Sequence, residues 1–222
     1  MHFSRLSFVF DLDGTLIDST KDISEAMNSV RARHGYSQLD LNEYAKLVGL
    51  PAISLLEDLM VDVEFKKELL LEFRFALREL IMKGVPLFPG VLDLIRRLSL
   101  LNVEIGVATS KPTDLAIFTI SHSDLSDFDL VVQGTDDFEA KPNPEVILRC
   151  MERMAGHRFI MVGDRVEDIY AAKSAGIDAI GVAQTTHDRQ QLKGAGAFVT
   201  FDSISEMLPT VDLLFTGPFN NF

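Results

Sequence analysis

From residue 89 onward, the chain alternates short apolar segments with helical segments, and this alternation constrains the fold most. Six segments are predicted to be strands because they are nearly unbroken apolar runs bounded by turn residues. They are 8–10, 103–108, 128–132, 159–162, 177–182 and 197–199. Strands that are apolar on both faces, with helices between them, are typical of a parallel sheet covered by helices on both sides. The sequence therefore predicts an α/β fold, a doubly wound parallel sheet with a Rossmann-like core.

A block of helical segments stands between the first strand and the rest of the sheet. Two sets of apolar residues recur there at helical spacing. They are Ile23, Ala26, Met27 and Val30 in the first helix, and Phe65, Leu69, Phe73, Leu77 and Leu80 in the last. Their plain interpretation is core packing. The sequence predicts a small α-helical domain at 18–84, inserted after the first strand into a core made of 1–17 and 85–222.

The charge of the chain argues against two classes of partner. The 222 residues carry a formal net charge of -12, so nucleic acid and anionic membranes would be repelled by the average surface. An anionic substrate would need a locally positive site. We therefore expect no nucleic acid and no membrane among the partners. We also expect the protein to be either a monomer or a homodimer.

The single cysteine and the lack of long apolar runs bear on the compartment. Cys150 cannot form an intramolecular disulfide, and its helical surroundings favour a packing role. No apolar run reaches the roughly 18 residues needed to span a bilayer, and the N-terminus lacks a secretory signal pattern. We expect a cytoplasmic protein.

Two aspartates follow the first apolar strand, one residue apart. Side chains at i and i+2 of an extended segment point the same way, so Asp11 and Asp13 can converge beyond the strand end. Like charges that close are costly unless a cation or a proton lies with them. This favours a divalent metal with oxygen ligands, and a carboxylate free to act as nucleophile or acid/base. The alternative is ordinary turn chemistry, because Asp caps its own backbone and Gly14 accepts a positive φ.

Polar residues also follow other strands at the point where each ends. The four clusters are Asp11 with Asp13, Thr109 with Ser110, Lys141, and Asp164 with Asp168. Because ligands of open parallel sheets bind at the carboxyl ends of the strands, we expect these groups to meet at one edge. Taken alone, the hydroxyls and Asp164 could be helix caps, Asp168 a solvated first-turn acid, and Lys141 a surface lysine.

The four clusters together could perform a reaction that none of them could perform alone. Asp11, Asp164 and Asp168 together form an oxygen site of the type that Mg²⁺ prefers. Hydroxyls and backbone N–H groups at a helix start can bind an anion. A metal, a carboxylate nucleophile, hydroxyl donors and a lysine are the parts needed for phosphoryl transfer. The sequence therefore predicts Mg²⁺ as cofactor and phosphoryl transfer as the class of reaction.

Four motifs in a fixed order carry a family resemblance. They are Asp11–Leu16, Val107–Ser110, Ala140–Pro142 and Val162–Asp168. In this order they resemble the motifs of the haloacid dehalogenase-like hydrolase superfamily, and within it the phosphoglycolate phosphatase-like branch with a helical cap of the C1 type. The resemblance covers essentially the whole chain.

The resemblance implies roles for the catalytic and metal-binding residues. Asp11 would attack phosphorus and carry an aspartyl-phosphate, and Asp13 would protonate the leaving oxygen and later activate water. The implied ligands of Mg²⁺ are Asp11, the backbone carbonyl of Asp13, Asp164 and Asp168.

The resemblance also implies a phosphatase that hydrolyses a phosphate monoester, with a small phosphorylated metabolite as substrate, and it implies how that substrate is held. Thr109 and Lys141 would hold the phosphoryl oxygens, with Ser110 beside them as a further substrate-binding residue. The helical insert would be a mobile cap that closes over the site and excludes water. Its loop 48–51, which contains Gly49, would contact the substrate.

Two departures from the family's pattern generate their own expectations. Arg165 stands where the family usually has a small hydroxyl residue; it could contact phosphate or pair outward with a nearby acid, and we expect the outward surface pair. No arginine lies near Gly49 in the sequence to grip a second carboxylate, which argues against phosphoglycolate as the substrate.

Other functions remain compatible with the same core. A sugar-phosphate mutase would use the same residues and differ in how the cap favours substrate over water. A non-catalytic phosphate-binding protein is a third possibility, since fold does not fix function. Its signature would be loss of the nucleophile or of a metal ligand, whereas every such residue is present. A dehalogenase is not expected, because that branch lacks an equivalent of Asp13.

Overall fold

The computed structural model describes residues 6–45, 47–59, 66–185 and 187–216. Among these residues, six strands form one sheet: β1 (Leu6–Phe10), β2 (Glu104–Ala108), β3 (Leu130–Gln133), β4 (Arg158–Gly163), β5 (Asp178–Val182) and β6 (Val199–Phe201). Every neighbouring pair is parallel, and the order across the sheet is β3-β2-β1-β4-β5-β6. The doubly wound parallel sheet predicted from the alternation is confirmed.

Helices fill every connection of the sheet. Those in the insert after β1 are α1 (Thr20–Arg33), α2 (Leu41–Ala45), α3 (Ala52–Leu59) and α4 (Lys66–Ile81). Those of the core are α5 (Val91–Leu100), α6 (Thr113–Ser121), α7 (Glu145–Glu152), α8 (Val166–Ser174), α9 (Arg189–Ala195) and α10 (Ile204–Thr216). In the part of the chain just described, no helix is both long and apolar enough to cross a membrane.

The sheet is covered on both faces by apolar side chains. Along β1, Phe8 and Phe10 belong to one buried cluster, and Val9 belongs to a second cluster on the other face. The first cluster includes residues of α5, α6 and α10, and the second includes residues of α7, α8 and α9. Double coverage explains why the strands are apolar at successive positions instead of alternating.

The central strand β1 fixes where a ligand can bind. It pairs with β2 through Phe10 and Val107, and with β4 through Phe10 and Val162. The connections leave in opposite directions from this point of the sheet, which opens a crevice at the carboxyl ends of the strands. The backbone N–H of Asp11 still donates to the Val162 carbonyl at 2.9 Å, so Asp11 extends the strand into that crevice.

The insert packs as a helical layer on one side of the core. Leu69, Phe73 and Leu77 of α4 are buried, as the helical stripe predicted, and they share one apolar cluster with α1 and the sheet. Phe65, the first residue of that predicted stripe, lies outside the described residues. The helical insert after the first strand is therefore confirmed as part of the fold.

Hydrogen bonds set two element boundaries in the second half of the chain. Helix α8 begins at Val166, because the backbone N–H of Arg165 donates to Oδ2 of Asp168 at 3.0 Å and caps the first turn. The last strand begins at Val199, not at residue 197, because the backbone N–H of Ala197 donates to the Leu192 carbonyl and closes α9.

The apolar clusters make a prediction about stability that one helix can test. Leu94 is 0% exposed and Leu100 is 76% exposed, and both lie in α5. Leu94→Ala should lower the free energy of unfolding by about 2–5 kcal/mol, since it leaves a cavity in the first cluster. Leu100→Ala should change it by less than about 0.5 kcal/mol. Urea denaturation followed by circular dichroism measures both, and equal losses would contradict this placement of the core.

Candidate functional site

Asp11 and Asp13 lie buried at the carboxyl end of β1. Asp11 is 3% exposed and Asp13 is 5% exposed, so neither is a solvated turn residue. The chain then turns at Gly14, where φ is +90°. A Cβ atom on Gly14 would lie 2.6 Å from Oδ2 of Asp164, so only glycine lets the turn approach this second carboxylate. The turn at Gly14 is therefore part of the acidic site.

Lys141 reaches the same point from the loop after β3. Its Nζ lies 2.5 Å from Oδ1 of Asp11 and 2.6 Å from Oδ1 of Asp168, and it donates to the Ala108 carbonyl at 3.0 Å. Only 7% of Lys141 is exposed, so the surface-lysine alternative was wrong. Nearby, the side chain of Asn143 accepts from the backbone N–H of Glu145 at 2.9 Å and starts α7. The loop is thereby anchored directly behind the lysine.

Three carboxylates meet beside this lysine. Ligand oxygens of Asp11, Asp164 and Asp168 all lie within 4.8 Å of one another, and all three residues are buried. Asp168 is 1% exposed, which rules out a solvated first-turn acid, and the N-cap of α8 is Arg165 and not Asp164. Three buried oxygen donors with surplus negative charge suit a hard divalent cation such as Mg²⁺. The residues present therefore fit the metal predicted from the sequence.

Hydroxyl groups orient one of these carboxylates. Thr15 donates to Oδ1 of Asp164 at 2.7 Å, and Thr185 donates to Oδ2 of the same residue. Gln184, next to Thr185, donates to the backbone carbonyls of Gly14 and Thr15 at 3.0 and 2.8 Å. The loop after β5 thus supports both the turn and the acidic cluster. Sequence reasoning missed this support, because no motif marks residues 184 and 185.

Burial and mutual repulsion perturb the titration of the cluster. Burial, reinforced by Asp168 and Asp164, raises the pKa of Asp11 well above its ordinary value, although Lys141 opposes the shift. Burial, together with Asp168, raises the pKa of Asp164 to about 7. Burial alone would lower the pKa of Lys141, but Asp11 and Asp168 outweigh it and raise that pKa. Without a further cation, the cluster has more negative charge than the single lysine offsets.

Thr109 and Ser110 follow β2 at the same edge. Thr109 is 1% exposed, its N–H donates to the Gln133 carbonyl at 3.1 Å, and its Oγ1 accepts from the backbone N–H of Lys111 at 3.2 Å. The N-cap of α6 is Pro112, so neither hydroxyl residue has the capping role that was the alternative. Ser110 is half-buried and lines the cavity beneath the insert.

Lys111 is a site residue that the sequence interpretation missed. Its Nζ lies 2.5 Å from both carboxylate oxygens of Asp13, and both side chains are less than 10% exposed. The signal was present, because Lys111 stands two residues after Thr109 at a strand end. The adjacent Pro112 offers a simpler local explanation, because proline is common at the start of a helix. The Asp13 carboxylate therefore has its own cation, separate from the Lys141 cluster.

Arg165 joins the core to the insert. Its Nε lies 3.1 Å from Oε2 of Glu167, so the predicted pairing with an acid is confirmed. The predicted surface location was wrong: the Arg165 side chain is 7% exposed and its Nη1 donates to the Val48 carbonyl of the insert at 2.8 Å. A Cβ on Gly49 would lie 2.6 Å from Cδ of Arg165. The loop predicted to contact substrate thus rests on a core arginine.

A cavity of about 40 Å³ lies between the insert and the core. Its polar lining comes from Asp13, Ser110 and Lys111 on the core side and from Arg74 of α4 on the other. The remaining lining is largely apolar and includes Leu50, Leu55, Phe73, Leu77 and Leu115, with the backbone of Gly49 among it. Sequence proximity to Gly49 could not reveal Arg74, because α4 brings it in from 25 positions away along the chain.

Known proteins resemble this chain in sequence and in fold. A family model described as haloacid dehalogenase-like hydrolase matches residues 8–182. A phosphoglycolate phosphatase of Chromobacterium violaceum is 33% identical, covering 89% of this chain and 92% of its own length. One of Rhodobacter capsulatus is 30% identical, covering 85% and 95%. A haloacid dehalogenase-like hydrolase structure from Streptococcus pneumoniae covers 95% of this chain and 100% of its own, with a TM-score of 0.81 at 23% identity.

The raised pKa of Asp164 predicts a pH-dependent stability of the metal-free protein. Its pKa rises from 3.8 to about 7 on folding, so between these values the native state holds a proton that the unfolded chain has lost. Stability from this group is therefore full below about pH 4 and falls as pH rises toward 7. Asp164→Asn should raise the free energy of unfolding in chelator at pH 8 by on the order of 1–3 kcal/mol, and much less at pH 4.

Urea denaturation at the two pH values measures this gain. Asp129→Asn is the matched control, because Asp129 is exposed. A gain for Asp164→Asn that is the same at both pH values would contradict the raised pKa.

The contact between Gly49 and Arg165 predicts that alanine lowers the free energy of unfolding by different amounts at two glycines of the insert. Gly49 and Gly35 have similar left-handed φ values of +87° and +79°, so alanine costs about 1–2 kcal/mol at either. Nothing lies within 4 Å of a Cβ on Gly35. Gly49→Ala should cost about 1 kcal/mol more than Gly35→Ala, because Arg165 must move and weaken its hydrogen bond to Val48. Equal unfolding free energies for the two variants would show that the Arg165 contact contributes nothing.

Proposed function

The chain belongs to the haloacid dehalogenase-like hydrolase family, and we propose that it is a Mg²⁺-dependent phosphatase that hydrolyses a small phosphate monoester. The observation that carries the proposal is the buried carboxylate of Asp11, which lies 2.5 Å from Nζ of Lys141 and within the acidic cluster. A carboxylate held by a cation and aimed out of a strand end is suited to nucleophilic attack. The names of the two phosphatase relatives support the same reaction class.

The proposed first step transfers the phosphoryl group to Asp11. A carboxylate oxygen of Asp11 bonds to phosphorus while the bond from phosphorus to the leaving oxygen breaks, and Asp13 gives its proton to that oxygen. Lys141 offsets charge on the phosphoryl oxygens, and the Thr109 hydroxyl and Ser110 supply hydrogen bonds to them. The alcohol then leaves through the cavity side of the site.

The second step returns the protein to its starting state. Asp13, now ionised, takes a proton from a water molecule, and the hydroxide oxygen bonds to phosphorus as the bond to Asp11 breaks. Inorganic phosphate is released, Asp11 is again a carboxylate and Asp13 is again protonated. In the substrate-free structure Lys111 holds both oxygens of Asp13, so this pair has to separate and Asp13 has to take up one proton before the first turnover. The second step returns that proton to Asp13 in every later turnover.

Asp11, Asp164, Asp168 and the backbone carbonyl of Asp13 are the proposed holders of the metal. Bound Mg²⁺ would supply positive charge beside the phosphoryl oxygens and relieve the repulsion among the carboxylates. Thr15 and Thr185 keep the Asp164 oxygens in place for this task.

We assign residues 18–84 to a cap and residues 1–17 and 85–222 to the core. Support comes from the chain path, because Ile17 pairs with Leu87 and the N–H of Asp18 donates to the Pro86 carbonyl at 3.0 Å. The insert thus leaves and returns at one place. Contacts between Arg165 and Val48, and between Arg78 and Asp114 at 2.5 Å, hold the cap against the core. Such closure would exclude water from the first step.

The proposed nucleophile predicts a severe loss on a minimal substitution. Asp11→Asn should reduce Mg²⁺-dependent release of phosphate from an aryl phosphate by on the order of 10³-fold or more, because the amide cannot attack phosphorus. Asp129→Asn, at an exposed position of the core, should retain activity. Turnover retained by Asp11→Asn, with far-UV circular dichroism showing both variants folded, would reject Asp11 as nucleophile.

A further inference from the structure

We propose that Arg165 is a positioning residue that holds the cap loop, residues 48–51, closed over Asp13, and that this hold favours substrates small enough to fit beneath the loop. The inference rests on the proposed phosphatase function and goes beyond it, because it gives one core side chain control over which leaving groups are enclosed during the reaction.

The Arg165 side chain reaches from the core into the cap at a place that water hardly reaches. The side chain is 7% exposed, and its Nη1 donates to the Val48 carbonyl at 2.8 Å. Val48 itself is buried. A hydrogen bond from a charged donor is stronger than one between neutral groups, and burial strengthens it further. This contact therefore favours the closed position of the cap loop.

Glu167 fixes the direction of the guanidinium group. Its Oε2 accepts a hydrogen bond from Nε of Arg165 at 3.1 Å, and its Oε1 accepts one from Nη2 at 3.5 Å. Because the guanidinium is planar and rigid, a carboxylate that holds it at two nitrogens also sets where the third nitrogen lies. Nη1 is thereby aimed at the Val48 carbonyl. A lysine at this position could not reproduce the two-point contact.

The cap loop transmits this hold to the site. The backbone N–H of Leu50 donates to the Leu47 carbonyl at 3.1 Å, which closes a tight turn. A Cβ atom on Gly49, within that turn, would lie 2.6 Å from Cδ of Arg165 and 3.6 Å from the backbone oxygen of Asp13. The turn therefore lies against both the arginine and the proposed acid/base, so holding the loop also covers Asp13.

A second arginine contact between cap and core differs from this one in exposure. Arg78 of α4 pairs with Asp114 of α6 at 2.5 Å, but the two side chains are 37% and 72% exposed. Exposed ion pairs contribute little, because water competes for both partners and salt screens the charges. Closure of the loop should therefore depend on Arg165 much more than on Arg78.

The cavity beneath the loop determines what the closed position can enclose. Gly49 and Leu50 line it from the cap, and Asp13 lines it from the core. About 40 Å³ accommodates roughly three water-sized groups. An acetyl group is of about this size, whereas an aromatic ring is larger. Acetyl phosphate can therefore react beneath the closed loop, and phenyl phosphate has to react with the loop displaced.

The kinetic test compares these two compounds, each assayed for phosphate release with Mg²⁺. Arg165→Gln should raise KM for acetyl phosphate about tenfold or more and change kcat by less than about threefold, because closure adds binding without touching the reacting atoms. For phenyl phosphate, kcat/KM should change by less than about threefold, since its leaving group is not enclosed. Arg165→Lys should restore part of the KM for acetyl phosphate.

Arg78→Gln is the matched control, because it also removes one arginine charge from a contact between cap and core. It should leave both compounds with wild-type constants. All variants at position 165 keep the backbone N–H that donates to Oδ2 of Asp168. An Arg165→Gln variant that loses activity on both compounds in equal proportion would show a structural role and overturn the proposal, as would an unchanged KM for acetyl phosphate.

Hydrogen exchange decides the inference without any turnover. In the substrate-free protein with chelator, mass spectrometry should show the peptide that contains residues 48–51 exchanging about tenfold faster or more in Arg165→Gln than in wild type. The same peptide should exchange less than about twofold faster in Arg78→Gln. Peptides of β4 should exchange at the same rate in all three proteins.

The exchange result separates this inference from the proposed function. If wild type hydrolyses neither phosphate compound, the phosphatase proposal fails, and loop exchange still decides whether Arg165 holds the loop. Equal exchange of residues 48–51 in wild type and Arg165→Gln would overturn the inference even if both compounds are hydrolysed.

Discussion

Three carboxylates held within 4.8 Å of one another in a buried site set the condition that the rest of the structure satisfies. Each comes from a different part of the core: Asp11 from the end of β1, Asp164 from the end of β4, and Asp168 from the first turn of α8. Bringing such charges together is costly, and among the described residues Lys141 is the lysine that contacts them, at Asp11 and Asp168. A folded chain tolerates this arrangement when it gains a function from it, which is why the cluster, and not the fold alone, supports a phosphoryl-transfer site.

Glycines and hydroxyls make the crowding possible. At Gly163 an added Cβ would lie 2.4 Å from Oδ2 of Asp168, as it would lie 2.6 Å from Asp164 at Gly14. The two strand ends can therefore approach the carboxylates only as bare backbone. Thr15 and Thr185 donate hydrogen bonds to the two Asp164 oxygens. Burial of Asp164 is therefore costly because of its charge, and not because its oxygens lack hydrogen bonds. Over this site, the insert contributes a largely apolar cavity wall that includes Arg74. Arg165 binds the insert to the segment of the core that carries Asp164 and Asp168.

The sequence contained most of the fold and the central acids, for physical reasons that single residues illustrate. Apolar runs that alternate with helical segments predicted the parallel sheet. The positions of the strand ends predicted the site residues Asp11, Lys141 and Asp164, because topology alone brings such ends to one edge of the sheet. Lys111 and Arg74 were different. Lys111 had a simpler local explanation beside Pro112, as part of a helix start, and Arg74 lies within an amphipathic helix where an arginine is expected. Lys111 contacts Asp13 because two strand ends of the core lie side by side, and Arg74 lines the cavity because α4 packs over the core; no local pattern encodes either placement.

The central claim is that Asp11 carries the phosphoryl group during turnover. The most direct measurement is a rapid quench of the wild-type protein during hydrolysis of an aryl phosphate with Mg²⁺, followed by borohydride reduction, which converts an acyl phosphate of aspartate to homoserine, and by peptide mass spectrometry. The account predicts homoserine at position 11 and at no other aspartate. Homoserine at position 13 or 164, or continued turnover with no reduced aspartate at any quench time, would contradict it.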